Sequence, residues 1–207
     1  MMKLFLCSYF AGVASLLSDF IKEDLSGKSV AFIPTAGNTE TIKFYIGEGK
    51  KALESFGMTV HELDIPRFSN IEIASIIDKT DYIYVSGGNT FFLLQELKRH
   101  GVDSVIAEYV KAGKPYIGES AGAIITAPST EYMKTVNFDP VEKAPELNNF
   151  SSLGLVEFYT VPHYGEFPFK KKAEKVIKLY ADSLNLIPVN NRQAIFVEGD
   201  SAVVKNV

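Results

Sequence analysis

Short apolar runs alternate with amphipathic stretches along most of the chain. Five runs have the length of strands: Lys3–Ser8, Ser29–Pro34, Thr59–Leu63, Tyr82–Val85 and Pro115–Gly118. The stretches between them carry apolar residues at helical spacing: Val13–Leu25, Thr39–Phe56, Ile71–Ile77, Thr90–His100 and Val102–Ala112. Apolar strands separated by helices predict a doubly wound, mostly parallel α/β sheet with helices on both faces.

The pattern changes after residue 120. A polar, irregular stretch is followed by a predicted strand, a predicted helix and a predicted terminal hairpin: Pro128–Ser152, Leu155–Val161, Phe169–Ser183, and Gln193–Val197 with Ala202–Lys205. No repeat, low-complexity tract or linker divides the chain, so we expect residues 1–207 to form a single domain.

Composition narrows the class of protein and of partner. The net charge is −4 and the lysines and arginines are scattered, which argues against a nucleic-acid-binding surface. No apolar stretch approaches the ~20 residues of a membrane span, and the single Cys7 excludes an intrachain disulfide and a paired metal–thiolate site. We expect a cytoplasmic protein without nucleic-acid or membrane partners; its assembly stays open between monomer and homodimer.

The sequence Gly118-Glu119-Ser120-Ala121-Gly122 fits the pattern G-x-S-x-G between a predicted strand and a predicted helix. Small residues on both sides of Ser120 permit the strained turn that exposes a serine hydroxyl above a sheet. The helix start favours developing negative charge, and the Ala121 amide is placed to donate to an oxyanion. The motif predicts a serine hydrolase with Ser120 as nucleophile, since a turn needed only for packing would not require the serine.

A glycine pair follows the strand Tyr82–Val85, in Ser86-Gly87-Gly88-Asn89-Thr90. Glycines at a strand end let backbone N–H groups approach a ligand closely, which predicts the second half of an oxyanion hole. A phosphate-binding loop would need further glycines or a lysine at fixed offsets, and these are absent. Asn89 and Thr90 are candidates both for capping the next helix and for binding substrate.

A serine nucleophile needs a general base, and the chain has three histidines. His61 lies within a predicted strand, and His100 ends a predicted helix, where an imidazolium suits the helix dipole. His163 follows the predicted strand Leu155–Val161, at a carboxyl strand end like that of Ser120. We therefore expect His163 to be the general base.

Four motifs together resemble a known family. They are Phe32-Ile33-Pro34-Thr35-Ala36-Gly37, Gly87-Gly88-Asn89-Thr90-Phe91, Gly118-Glu119-Ser120-Ala121-Gly122-Ala123 and Pro162-His163-Tyr164. In this order they resemble peptidase E, the aspartyl dipeptidase group of serine peptidases, which includes the cyanophycinases. The resemblance spans nearly the whole chain and implies a fold similar to class I glutamine amidotransferases.

The resemblance also implies roles for individual residues. Ser120 becomes the nucleophile and His163 the base of a Ser-His-acid triad, with the oxyanion-hole amides supplied by Gly88 and Ala121. The implied activity is hydrolysis of dipeptides with N-terminal Asp, without metal or organic cofactor.

The chain departs from the family pattern at the third triad position. An acidic residue is expected after the histidine, near the start of a strand, but this stretch offers Asn190 and Asn191. An amide oxygen can still hold the imidazole tautomer. We expect Asn190, rather than Asn191, Glu166 or Glu198, to complete the triad from the loop before the last strands.

A second departure concerns the substrate. The family is expected to read the Asp side chain with an arginine beyond the histidine, where this chain has Lys170-Lys171-Lys172. Solvent exposure alone would also explain these lysines. The candidate substrate-binding residues are Asn89, Thr90, Glu119 and Lys172.

Two other functions remain open. A cyanophycinase-like exopeptidase would cut β-aspartyl bonds with the same machinery. A catalytically silent binding protein would keep the turn at Ser120 without efficient turnover, because an amide replaces the acid. A glutaminase is disfavoured, since serine rather than cysteine follows Glu119.

Overall fold

The computed structural model describes residues Met1–Val207. It contains nine strands: β1 (Lys3–Cys7), β2 (Ser29–Ile33), β3 (Thr59–Glu62), β4 (Tyr82–Val85), β5 (Tyr116–Glu119), β6 (Tyr159–Val161), β7 (Leu186–Pro188), β8 (Gln193–Glu198) and β9 (Ser201–Asn206). The α-helices are α1 (Phe10–Val13), α2 (Ser15–Ile21), α3 (Phe44–Ser55), α4 (Asn70–Lys79), α5 (Thr90–Arg99), α6 (Val102–Lys111), α7 (Ala121–Ile124), α8 (Glu131–Thr135) and α9 (Lys170–Tyr180). No helix is both long and apolar enough to cross a lipid bilayer.

Seven strands form one sheet in the order β3-β2-β4-β5-β1-β8-β9. The first five are parallel, whereas β8 runs antiparallel to β1 and pairs with β9 as a hairpin. The carboxyl ends of the parallel strands therefore share one edge, and the start of β8 lies at that same edge because Ala194 pairs with Cys7. This edge carries the candidate site.

Apolar side chains cover both faces of the sheet. Along β1, Leu4 and Leu6 point into a core shared with α4 to α7, while Phe5 and Cys7 point into a second core shared with α1 to α3. Side chains alternate between faces along a strand, so a strand that is apolar throughout needs helices on both sides. The predicted doubly wound, mostly parallel α/β fold is confirmed.

The largest differences from the sequence prediction lie after α7. The predicted strand Leu155–Val161 is shorter, because only Tyr159–Val161 pairs, and its partner β7 was not predicted. These two strands form a separate parallel sheet that packs with α8 and α9 around a third apolar cluster. The predicted helix Thr39–Phe56 begins only at Phe44, because Thr35–Thr39 forms a 3₁₀ turn.

Candidate active site

Ser120 occupies a strained turn between β5 and α7. Its backbone has φ 48° and ψ −102°, a conformation that a residue with a side chain adopts only when its surroundings impose it. The glycines on both sides make this turn sterically allowed. A Cβ on Gly118 would lie 2.6 Å from the Gly122 oxygen, and a Cβ on Gly122 would lie 2.2 Å from the Val85 oxygen. The G-x-S-x-G glycines thus let α7 start directly on the sheet.

The loop after β4 lies beside this turn. A Cβ placed on Gly87 would be 3.3 Å from the Cβ of Ser120. Gly88 has φ 134°, and a Cβ there would lie 2.3 Å from the backbone of Ala36, so only glycine fits. The two glycine motifs therefore meet at one edge, as the sequence predicted.

His163 reaches the same edge from the small sheet. It lies just after β6 with φ 57°, and its backbone N–H donates to the Ser8 hydroxyl at 2.9 Å. The Ser8 hydroxyl in turn donates to the Val189 carbonyl at 2.9 Å. Ser8 directly follows β1, so this relay ties the small sheet to the carboxyl edge of the main one.

The imidazole of His163 contacts the serine. Its Nε2 atom lies 3.0 Å from Ser120 Oγ. One face of the ring stacks on Phe169, with ring centroids 4.8 Å apart. Burial lowers the pKa of His163, although Asn191 and the charge of Glu166 oppose this shift. The imidazole is therefore neutral near pH 7, the form that can accept the serine proton.

The residue behind the imidazole is Asn191, not the predicted Asn190. Asn191 Oδ1 lies 2.9 Å from His163 Nδ1, which assigns the proton to Nδ1 and leaves Nε2 free to accept from Ser120. Asn190 is committed to its own turn, because its Oδ1 accepts from the Arg192 N–H at 2.8 Å. The structure thus places Asn191, and not the predicted Asn190, against the imidazole, because the Asn190 amide oxygen already accepts from Arg192.

The predicted oxyanion amides lie on the correct edge. The N–H of Gly88 donates to no acceptor within the protein, and the turn is held by the neighbouring Asn89 N–H, which donates to the Ala36 carbonyl at 2.8 Å. Ala121 is the first residue of α7, where backbone N–H groups have no partner in the helix. Both amides are thus available to a ligand beside Ser120.

A cavity of about 450 Å³ opens in front of Ser120 and His163. Much of its wall is aromatic or aliphatic, contributed by Tyr9, Ile42, Phe44, Phe167, Pro168 and Phe169. Its charged lining residues are the three acids Glu40, Glu119 and Asp139, and neither lysine nor arginine lines it. The cavity has room for a short peptide segment at the serine.

Comparison with known proteins places this site in a family. The family model of peptidase family S51 matches residues 5–205. The chain belongs to peptidase family S51. Among curated relatives, the uncharacterised peptidase Lmo0363 of Listeria monocytogenes is 49% identical over 207 residues, covering 100% of both chains. Peptidase E of Shewanella amazonensis is 32% identical over 179 residues, which are 82% of this chain and 71% of that protein.

Solved structures of similar proteins agree with this assignment. The crystal structure of a candidate peptidase E from Listeria monocytogenes EGD-e has a TM-score of 0.95 and 48% identity, covering 100% of this chain and 99% of that chain. A peptidase from an acI-B1 actinobacterium shares the fold, with a TM-score of 0.71 and 22% identity. The doubly wound α/β fold and the membership of this chain in a peptidase family are therefore shown.

The structure of the S51 chain corrects most of the predicted substrate contacts. Asn89 caps α5, because its Oδ1 accepts from the next two helix amides. The Thr90 hydroxyl donates to Asp139, and the Lys172 ammonium donates to the Phe138 carbonyl at 2.9 Å. None of these three predicted residues lines the cavity, because each is held by neighbouring groups.

Glu119 lines the cavity, but its carboxylate is occupied by protein donors. Oε1 accepts from the Phe10 N–H at 2.9 Å, and Oε2 accepts from the Tyr84 hydroxyl at 2.8 Å and the Gly87 N–H at 3.4 Å. Burial raises the pKa of Glu119 to about 7, although these donors oppose the shift. The Glu119 carboxylate thus connects α1 to the Gly87 turn, and its role in substrate binding stays a prediction.

Sequence reasoning missed two polar residues that line the cavity. Ser8 directly follows β1, and the rule that sites form at carboxyl strand ends could have identified it. Asp139 lies in a segment without periodicity, so nothing in the sequence indicated that its carboxylate would reach the cavity.

Proposed function

We propose that this chain is a serine peptidase that cleaves short peptides through an acyl-enzyme. The observation that carries the proposal is the relay Ser120–His163–Asn191, with distances of 3.0 Å and 2.9 Å between successive heavy atoms. In an activated serine nucleophile, the hydroxyl lies at a strained strand-to-helix turn and is hydrogen-bonded to an imidazole. A third residue orients the imidazole from the opposite side, as in this chain.

The geometry supports a two-step reaction. Ser120 Oγ attacks the scissile carbonyl carbon while its proton passes to His163 Nε2. The carbonyl oxygen becomes an oxyanion, which the N–H groups of Gly88 and Ala121 stabilise. The imidazolium then protonates the leaving amine, and the C–N bond breaks. Water, deprotonated by the same imidazole, attacks the ester and releases the acid and Ser120.

The resemblance to peptidase E favours dipeptides with N-terminal Asp, but the cavity wall gives this finer specificity no support. A carboxylate side chain in a partly buried site is favoured by a cationic partner, such as the arginine expected in the family. The predicted partner Lys172 is held at Phe138, and no lysine or arginine lines the cavity. The proposal therefore extends to short peptides as a class.

Fluorophosphonate labelling tests the proposed chemistry without knowledge of the substrate, because an activated serine reacts rapidly with this probe. We expect covalent labelling of the wild-type chain and none of Ser120→Ala, with mass spectrometry locating the adduct on Ser120. His163→Ala should label at a strongly reduced rate. A wild-type chain that does not react would overturn the proposal in favour of a silent binding protein.

A screen of dipeptides that vary the first residue then defines the substrate. Amine release by the wild-type chain should fall by about 10⁴-fold or more in Ser120→Ala. Residual cleavage within about tenfold of wild type would contradict the role of Ser120.

A further inference from the structure

The acids of the cavity wall differ in how much of their charge is already paired. The Glu119 carboxylate accepts from three protein donors. Glu40 forms an ion pair with the Lys143 ammonium at 2.9 Å. Asp139 has no ion pair; burial raises the pKa of its carboxyl group, whereas the Thr90 donors and the charge of Lys172 oppose this shift. Asp139 is therefore the acid of this wall that has neither an ion pair nor hydrogen-bond donors on both carboxylate oxygens.

Asp139 is buried but only half satisfied. It exposes 9% of its surface. Its Oδ2 atom accepts from the Thr90 N–H at 3.0 Å and from the Thr90 hydroxyl at 2.5 Å, whereas Oδ1 has no donor in the protein. A buried carboxylate is costly unless its oxygens receive hydrogen bonds or meet a cation. Since Asp139 lines the cavity, the missing partner can come from a ligand.

Tyr45 provides a second unpaired polar atom in the same wall. Its hydroxyl is buried and has no hydrogen-bond partner, and its ring lies 3.6 Å from the Cβ position of Gly87. Burial, followed by the charges of Glu40, Glu119 and Asp139, raises its pKa, so the phenol stays protonated. Its oxygen can still accept one hydrogen bond.

A cationic group with several N–H donors would both bond to the free Asp139 oxygen and compensate the charge of the carboxylate. We propose that Asp139, assisted by Tyr45, binds the primary ammonium group of the peptide whose carbonyl is attacked by Ser120. This inference rests on the proposed peptidase function and names its substrate class. The ammonium group is either the free α-amine of the first residue or a lysine side chain. A carboxylate side chain, in contrast, is repelled by this wall.

Binding to the Ser120→Ala variant tests the proposal independently of turnover. Calorimetry would compare the dipeptides Met-Leu, N-acetyl-Met-Leu and N-acetyl-Lys-Leu. The difference in Kd between Met-Leu and its acetylated form measures how much the α-ammonium group contributes to binding. N-acetyl-Lys-Leu against N-acetyl-Met-Leu measures that of a side-chain ammonium group. In at least one of these comparisons, we expect the ammonium form to bind with a Kd about tenfold lower, or lower still, than its neutral counterpart. The ratio of the two Kd values is called the ammonium preference.

The Asp139→Asn change removes the charge but keeps an oxygen for the Thr90 donors. In the double variant with Ser120→Ala, we expect the ammonium preference, the ratio of the Kd values of the neutral and the ammonium form, to fall below about threefold. Glu142→Gln, an exposed acid-to-amide change that does not line the cavity, should leave the ratio unchanged. Should Asp139→Asn fail to fold, Tyr45→Phe removes the other acceptor and should lower the same ratio by about threefold.

Two outcomes overturn the inference. One is a Ser120→Ala chain that binds none of the ammonium forms better than its neutral counterpart. The other is an ammonium preference that survives both Asp139→Asn and Tyr45→Phe. Failure of the peptidase proposal is seen separately, as absence of fluorophosphonate labelling in the wild-type chain.

Discussion

The Oδ1 atom of Asn191 lies 2.9 Å from Nδ1 of His163, where many serine hydrolases have a carboxylate. The amide fixes the imidazole tautomer and the ring orientation as a carboxylate would. It carries no full charge, however, and stabilises the imidazolium less as the serine proton is transferred. The relay of this chain is aligned for proton transfer but electrostatically weak.

Replacing Asn191 by Asp should therefore raise kcat by about tenfold or more, because a carboxylate stabilises the imidazolium that forms during attack. Asn191→Ala should lower kcat by about a hundredfold or more, since the tautomer and ring orientation are no longer fixed. Steady-state kinetics on the best dipeptide measures both. Asn190→Ala is the matched control; a loss equal to that of Asn191→Ala would restore Asn190 as the third member.

Gly88→Ala should reduce kcat by about a hundredfold or more, because the new Cβ displaces an amide of the proposed oxyanion hole. The Cβ would lie 2.3 Å from the Ala36 backbone, in addition to the strain at φ 134°. Gly101→Ala is the control, because Gly101 has a positive φ of 62° but no atom near its Cβ position. This variant shows the effect of backbone strain without a steric clash. Activity of Gly88→Ala close to that of Gly101→Ala would exclude the Gly88 amide from the oxyanion hole.

The buried Glu119 should make stability depend on pH. Its pKa is raised from 4.5 to about 7, so between these values the folded chain holds a proton that the unfolded chain has released. Its contribution to stability is complete below pH 4.5 and is lost as the pH rises to about 7. This loss is of the order of 3 kcal/mol.

Urea unfolding of wild type and Glu119→Gln, at about pH 4.5 and about pH 8, measures this contribution. The difference between the two proteins cancels the other titrating groups, including His163. We expect Glu119→Gln to gain stability relative to wild type as the pH rises. The same difference at both pH values would mean that Glu119 does not titrate in this range.

The sequence predicted what depends on local pattern. The parallel strands followed from apolar runs, and Ser120 and His163 followed from their position at carboxyl strand ends. Asn191 could not be distinguished from Asn190, because the choice depends on which side chain closes the turn on Arg192. Neither β7, with three residues, nor Asp139, which packs against Thr90 from an irregular segment, has a periodic signal.

Both residues of the proposed proton transfer have positive φ, 48° at Ser120 and 57° at His163. Such angles cost a residue with a Cβ about 1 kcal/mol relative to glycine. Ser120→Gly should therefore have a higher Tm than Ser120→Ala, and His163→Gly a higher Tm than His163→Ala. Both variants of each pair lack the functional group, so the comparison reports the backbone strain alone. Activity and thermostability thus oppose each other at these two positions. A library selected for heat resistance alone would enrich glycine at Ser120 over other inactive replacements.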